Sequence, residues 1–153
     1  MAPLKALIKR VRSELDLGRR PVRLALGGLL TYVARHFSRS AYNRILEKAP
    51  GSAQLIAHYR DHTKHFLEAP PVPPWVVREI TDLLGCVPKV GHEVALVLQP
   101  SGLPYEQFSP LVQSFVNFVQ VDLRIDLVKL IQSQTYDLTD LAKEVLRNME
   151  EGS

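Results

Sequence analysis

Cysteine is almost absent from this chain: Cys86 is the only one among 153 residues. One thiol cannot form an internal disulfide bond, which excludes the small secreted scaffolds that depend on several such bonds. A reducing compartment is therefore the default, and we expect an intracellular, cytoplasmic protein. The neutral neighbours Gly85 and Val87 provide no charge to activate the thiol, so we interpret Cys86 as structural.

Long apolar runs are also missing. The longest, LALGGLLTYVA at 24–34, has eleven residues and contains a glycine pair. A membrane-spanning helix needs about 20 apolar residues, so this run predicts a buried helix. A signal peptide is not indicated either, because no small-residue cleavage site follows the run. A targeting leader for an organelle stays open as an alternative, although Glu14 and Asp16 are unusual in such leaders.

The sequence motifs of common enzymes are absent as well. There is no phosphate-binding G-x-x-x-x-G-K-[ST] loop, no G-x-G-x-x-G, no H-E-x-x-H, no G-x-S-x-G and no pair of C-x-x-C motifs. His92 and Glu93 lack the second histidine that a zinc protease requires. We therefore favour a protein without catalytic activity, while an active site of another kind stays open.

Helical periodicity is what the sequence does contain. In PLKALIKRVRSELDLG, apolar residues fall at helical spacing on one face, which predicts a basic amphipathic leading helix over 3–17 that stops at Gly18. Arg19 to Pro21 form the expected break, and an apolar helix follows over 22–37. The remaining pattern predicts a compact single-domain all-α bundle of seven to nine short helices over 1–153. Ser38 or Ser40, and later Ser52, are candidate helix caps.

Three other segments carry structural expectations. The proline-rich stretch 69–74 is the candidate connector, and it is expected in an extended polyproline conformation before a buried Trp75. As an alternative, its P-x-x-P patterns match the motif that adaptor domains bind. Phe115 and Phe118 are expected in the core, with a homodimer face as the alternative. VQVDLRIDLV is predicted helical, with a strand as the alternative, and a last helix is expected after Asp137.

Positive charge is concentrated in the first 60 residues, which hold twelve Lys and Arg against three acids; the rest holds seven against thirteen. This asymmetry predicts either an anionic partner for the first half or attraction between the halves. The partner would be an acidic protein or a nucleic acid, and an anionic membrane surface is a further alternative. The candidate binding residues lie in and just after the leading helix: Lys5, Lys9, Arg10, Arg12, Arg19, Arg20 and Arg23.

HYRDHTKH, residues 58–65, gathers three histidines and an aspartate. On a helix these residues lie at i, i+3, i+4 and i+7, so they form one stripe of side chains able to bind a transition metal. The simpler interpretation is a solvated helix face, because metal sites usually draw ligands from more than one element. We expect no cofactor and keep one candidate metal set: His58, Asp61, His62 and His65.

Two parts of the chain share a plan of glycine-containing helix, turn and apolar helix, over 22–56 and 90–131. The positions that carry it are Gly27, Gly28, Pro50, Gly51, Gly102, Leu103, Phe108 and Pro110. In these positions the chain resembles small bacterial helical domains of the VcgC/VcgE type, a family without an established activity. The resemblance implies a compact all-α fold and no catalytic residues. The basic leading helix, the histidine-rich stretch and the PPVPP segment depart from that pattern.

Overall fold

The computed structural model describes residues 3–64 and 70–131. These residues form seven complete α-helices and the start of an eighth, α8, which begins at Leu127; they contain no β-strand. The expected all-α class and helix number are therefore confirmed for the described ranges. The complete helices are α1 (Pro3–Leu15), α2 (Arg19–His36), α3 (Arg39–Lys48), α4 (Ser52–Thr63), α5 (Pro74–Leu84), α6 (Pro88–Leu98) and α7 (Phe108–Asn117).

Helix α2 is the central helix of the fold. Its residues from Leu24 to Val33 are all buried, because this stretch is apolar on every face. It packs against α1, α4 and α6, and short 3₁₀ turns at Gln99–Ser101 and Tyr105–Gln107 follow α6 before α7 begins. The core thus surrounds α2 on several sides, which is typical of a helix without a polar stripe.

Gly27 and Gly28 allow neighbouring helices to approach α2 closely. A Cβ atom at Gly27 would overlap the Leu55 carbonyl oxygen of α4 and lie 2.9 Å from the Tyr59 Cβ. A Cβ atom at Gly28 would lie 2.5 Å from the Val97 carbonyl oxygen of α6. This close helix approach at the glycine pair compensates for the low helix propensity of glycine.

The boundary between α1 and α2 differs from the prediction. Helix α1 ends at Leu15, two residues before the predicted end, and Asp16 follows it in the left-handed region with φ of 52°. Gly18 instead precedes α2, whose first turn is formed by residues 19–21. The predicted break was wrong because proline is tolerated in the first turn, where its missing N–H has no partner within the helix.

The helix caps are confirmed in one case and wrong in another. The Ser38 hydroxyl accepts a hydrogen bond from the Ala41 N–H at 3.2 Å, so Ser38 caps α3. Ser52 does not cap α4: Gly51, with φ of 97°, is the capping residue, and the Ser52 hydroxyl donates to the Ala49 carbonyl oxygen at 2.7 Å. The sequence pattern predicts that α4 continues to about residue 68; the described helix ends at Thr63, and residues 65–69 lie outside the described part of the chain.

The described part of the proline-rich connector is held against the body of the protein. Residues 70–73 are non-helical, Val72 is buried, and the Gln99 side-chain amide donates to the Pro70 carbonyl oxygen at 2.7 Å. The expected burial of Trp75 was wrong, since 40% of this residue is exposed. It lies beside the buried face of α5, which is formed by Val76, Ile80 and Leu84.

Helix α7 and its continuation fill the other side of the core. Pro110 lies in the first turn of α7, and Phe115 and Phe118 are only 3% and 1% exposed. The expectation that both rings are core residues is confirmed; a homodimer face formed by these rings would require them to leave that core.

The strand alternative at VQVDLRIDLV was wrong. Residues 118–122 close α7 with a π-helical turn, and Arg124 has φ of 57°. Helix α8 begins three residues later, and its Lys129 N–H donates to the Asp126 carboxylate at 3.0 Å. The predicted helix is therefore interrupted by residues 123–126. The last predicted helix, after Asp137, lies outside the described residues.

Candidate anion-binding site

The seven basic candidate residues do not share one surface. Lys5, Lys9 and Arg12 follow one flank of α1 at spacings of four and three residues, and all three are exposed. Arg10 lies on the opposite flank of the same helix. Its guanidinium is 4.0 Å from the Asp122 carboxylate, in the acidic half of the chain.

A concave surface lies where α1, α2 and α4 meet; we call it the arginine cleft. It encloses about 130 Å³. Its cationic residues are Lys5 of α1 together with Arg19 and Arg23 of α2, and its apolar wall consists of Leu4, Ile8 and Leu55. The turn that precedes α4 closes it with Pro50, Gly51 and Gln54. The cleft therefore combines positive charge, apolar side chains and the beginning of a helix.

A wider depression adjoins the arginine cleft and shares two of its arginines. It has a volume of about 370 Å³ and is lined by Arg19, Arg20, Arg23 and His58. Three consecutive members of the predicted basic set thus face one continuous surface. His58 reaches this surface from α4, so one member of the histidine stripe belongs to the arginine surface.

The glycine contact between α2 and α4 sets the register of this site. Arg23 lies one helical turn before Gly27, and Gly51 lies one turn before Leu55, the residue whose carbonyl faces Gly27. Arg23 and Gly51 consequently both line the arginine cleft. The first turns of α2 and α4 therefore lie at the same end of the helix pair.

Neither of these two first turns has a side-chain cap. Gly18 precedes α2 and Gly51 precedes α4, and a glycine has no side chain to accept the first amide hydrogens. The first N–H groups of a helix have no partner within it, and they give this end a partial positive charge. No acidic residue lies in either first turn to offset that charge.

The cationic side chains of the cleft and of the adjoining depression have no acidic partners among the described residues. Within residues 3–64 and 70–131, Lys5, Arg19, Arg20 and Arg23 form no ion pair. Arg23 is half-buried, and its Nε atom is enclosed without a hydrogen-bond acceptor among these residues. Buried donors are normally satisfied, so this N–H is an exception, and it belongs to a side chain that lines the cleft.

The other potential partner of the basic half is the acidic half of the same chain. The Arg10–Asp122 contact joins the two, and the Lys48 ammonium donates to the Leu123 carbonyl oxygen at 2.8 Å. Both contacts involve the segment that follows α7. These contacts engage Arg10 and Lys48, whereas no described residue neutralises the cations of the arginine cleft.

The histidine stripe does not assemble into a metal centre in the described residues. They contain no group of three or more His, Cys, Asp or Glu residues placed to hold a metal ion. The His62 ring lies with Nε2 2.9 Å from the Pro100 carbonyl oxygen, so it donates there and ties α4 to the turn after α6. Asp61 is exposed and pairs with Lys64 at 3.6 Å, and His65 lies outside the described residues.

A second polar cluster lies between α2, α5 and α6. Burial raises the pKa of the Cys86 thiol, which opposes a role as a nucleophile. Burial, with the Glu93 carboxylate nearby, also raises the pKa of the Tyr32 phenol, whose hydroxyl has no partner among the described residues. The His36 ring stacks on Tyr32 with centroids 4.4 Å apart and lies 3.8 Å from Glu93.

The leading helix has no apolar face available to a bilayer. Leu4, Leu7 and Val11 are at most 4% exposed because they pack into the core. Among the described helices, none has both the length and the apolar character needed to cross a membrane. The exposed surface of α1 therefore consists mainly of charged and polar side chains.

Fold and cleft together define an all-α protein with a basic, partly enclosed surface at two helix N-termini. Comparison with protein-family models, with curated protein sequences and with solved structures finds no match to this chain. The resemblance to domains of the VcgC/VcgE type consequently stays a prediction.

The sequence analysis predicted the cations of the cleft but not its uncharged lining residues. Gly51, Gln54 and Leu55 belong to the site, although they carry no charge. The available signal was the turn APGS, whose glycine precedes a helix without an acidic first turn. Without the register between α2 and α4, that turn could not be placed beside the arginines.

Proposed function

We propose that this chain is a non-catalytic binding protein whose N-terminal half binds an anionic partner, either an acidic protein surface or a nucleic acid. One observation carries the proposal: Lys5, Arg19, Arg20 and Arg23 face one concave surface without an ion pair among the described residues. A surface with a focused positive potential attracts anions and raises their association rate.

The placement of these cations opposes the stability of the fold, which favours a functional reason for it. Arg19 and Arg20 occupy the first turn of α2, where positive side chains interact unfavourably with the helix dipole. Such an interaction costs on the order of 0.3–1 kcal/mol for each exposed charge. Local choices that work against stability are typical of binding sites, and an anionic ligand would turn each of them into an attraction.

The alternatives have less support from the described residues. Membrane binding through α1 would need an exposed apolar face, and the apolar residues of α1 are packed in the core. Metal binding would need His58 and His62 to share an ion, whereas His62 bonds to a carbonyl oxygen and His58 lies at the arginine surface. For an enzyme, the described residues offer no activated nucleophile at the cleft.

The test is binding of two labelled polyanions, a 20-base-pair DNA duplex and polyglutamate, measured by fluorescence anisotropy at 50 and 200 mM salt. Engagement of about four phosphates should weaken duplex binding on the order of 100-fold over this range, because counterions released on binding must be recovered. Binding of neither polyanion at 50 mM salt would reject the proposal.

Two double variants that remove the same charge test whether the anion binds at the cleft. Arg19→Ala with Arg23→Ala should abolish most of the binding, since both side chains line the cleft. Arg35→Ala with Arg39→Ala removes the same charge from exposed positions at the other end of α2. The far end of α2 lies about 27 Å from its start, so this control should retain most of the affinity. Equal losses in the two variants would mean that binding follows net charge and not the cleft.

A further inference from the structure

We infer that the arginine cleft is a phosphate pocket that takes a phosphoserine or phosphothreonine side chain of a protein partner. The inference rests on the proposed function and gives it a ligand. It goes further because a phosphate pocket makes binding dependent on a modification of the partner, whereas general attraction to polyanions does not.

The cations of the cleft suit a phosphate group in number and in kind. Arg19 and Arg23 offer planar guanidinium groups, which donate two parallel hydrogen bonds to one phosphate, and Lys5 adds a point charge from α1. The enclosed Arg23 Nε has no acceptor among the described residues. Because this atom is enclosed, a phosphate oxygen would reach it only when the Arg23 side chain rotates on binding, and the oxygen would then supply the missing acceptor.

The helix ends supply donors that a side chain does not. In α4, the Ser52 N–H donates to Ala49, and the following amides, those of Ala53 and Gln54, have no partner within the helix. Gly51 and Gln54 line the cleft, so this turn faces the same space as the arginines. Backbone N–H groups at a helix N-terminus bind phosphate through both hydrogen bonding and the helix dipole.

The shape of the cleft favours a peptide over a nucleic acid. Its volume of about 130 Å³ suits one phosphate group, and the adjoining depression of about 370 Å³ leaves room on one side for the residues next to that group. No aromatic side chain lines it, which leaves no surface on which a base could stack. Its apolar wall of Leu4, Ile8 and Leu55 would contact an aliphatic residue beside the phosphorylated one.

The first experiment uses inorganic phosphate and amide NMR spectra of the full chain. We expect the largest shifts at Ala53, Gln54, Arg19 and Arg20, with acetate as the control anion. A second titration compares a short peptide holding one phosphoserine beside a leucine with its serine counterpart and with a 5′-phosphorylated hexanucleotide. The phosphopeptide should bind at least tenfold more tightly than the serine peptide, as expected for charge-assisted bonds.

The variant Gln54→Glu distinguishes an effect on ligand binding from an effect on folding stability. A carboxylate at the third position of α4 complements the helix dipole, so the melting temperature should stay equal or rise. The same carboxylate would face the phosphate, and phosphopeptide affinity should fall at least tenfold. Asn43→Asp places the same charge on the exposed face of α3 and should change the affinity less than twofold.

The outcomes distinguish the pocket from the general function. Shifts spread evenly over all basic residues, or equal binding of the phosphoserine and serine peptides, would overturn the phosphate pocket. Polyanion binding that survives this result would leave the proposed function in place. Tighter binding of the phosphorylated hexanucleotide than of the phosphopeptide would overturn the choice of a protein ligand. An unfolded Gln54→Glu protein would contradict the placement of that residue at the α4 N-terminus.

Discussion

At the scale of single residues, buried polar atoms without a hydrogen-bond partner among the described residues occur both at the cleft and in the core. The enclosed Arg23 Nε belongs to a side chain that lines the cleft, whereas the Tyr32 hydroxyl is buried among helices and the residue is only 4% exposed. A buried hydroxyl without a partner costs about 1–3 kcal/mol, so Tyr32 is a site where stability can be gained. The same environment raises the pKa of its phenol.

Tyr32→Phe should therefore stabilise the protein by about 1 kcal/mol at neutral pH, because the change removes an unsatisfied group and keeps the ring. Urea unfolding followed by far-UV circular dichroism measures this difference. Tyr42→Phe, at a half-buried position, is the control and should change stability little. A loss of stability in Tyr32→Phe would show that the hydroxyl has a partner.

The pH dependence follows from the same shift. The folded-state pKa of Tyr32 is raised, and burial raises the pKa of Tyr59 to about 12, whereas an unfolded tyrosine titrates near 10. The unfolded chain therefore loses protons first as pH rises, and stability present below pH 10 is lost above it. Tyr32→Phe should reduce this alkaline loss when unfolding is compared at pH 7 and 10.5.

At the scale of helices, the approach of α2 to α4 both builds the core and places the cleft. The glycines permit it, and Arg23 and Gly51 precede the contact by one turn on their respective helices. A change that separates the two helices should therefore affect stability and ligand binding together. Few other substitutions in the described core would have this double effect.

Gly27→Ala should destabilise the protein by about 2 kcal/mol, since the overlap with the Leu55 carbonyl outweighs a gain in helix propensity of about 1 kcal/mol. Ala34→Gly, on the exposed side of α2, measures the propensity effect alone and should cost about 1 kcal/mol. Thermal unfolding checks both variants. An increase in stability for Gly27→Ala would mean that α4 does not pack against this glycine.

Periodicity predicted the helices because their apolar positions recur at the helical spacing, as at Leu4, Leu7 and Val11. It failed where one residue changes the local geometry without changing the pattern. Asp16 ends α1 although a glycine stands two positions later, and residues 123–126 interrupt an apolar pattern that continues through them. Trp75 looked like a core residue by type, yet it stands beside the buried face of α5.

Sequence reasoning predicted charged residues of the candidate site but missed its neutral residues. The basic set contained Lys5, Arg19 and Arg23, but it also contained Arg10, which the helical geometry of α1 turns to the other flank. The neutral residues of the α4 turn joined the cleft only through tertiary packing. Packing between helices far apart in sequence is not encoded in any local pattern, so this half of the site could not be predicted.

At the scale of the whole molecule, the charge asymmetry of the sequence becomes two surfaces with different roles. Arg10 and Lys48 contact the segment after α7, and the cleft cations lie elsewhere without acidic partners among the described residues. More than 40% of both side chains of the Arg10–Asp122 pair is exposed, so water and salt screen it. Net charge alone therefore does not predict where an anion would bind to this protein.

Arg10→Ala should lower the stability by no more than about 0.5 kcal/mol, as expected for an exposed ion pair at 4.0 Å. It should also leave duplex binding within about twofold at 150 mM salt, where charges more than about 8 Å apart are largely screened. Arg19→Ala removes the same charge from the cleft and should weaken binding about tenfold. Equal weakening by both changes would contradict a localised site.

The position of Trp75 has a practical consequence for how this molecule can be observed. It is the only tryptophan in the chain, and 40% of it is already in contact with solvent in the folded state. Its fluorescence emission should therefore shift less on unfolding than that of a buried tryptophan, and a quencher dissolved in water should reach it in the native protein. Tryptophan fluorescence therefore reports mainly on the end of the proline-rich connector. Unfolding of the buried helices is better followed by far-UV circular dichroism.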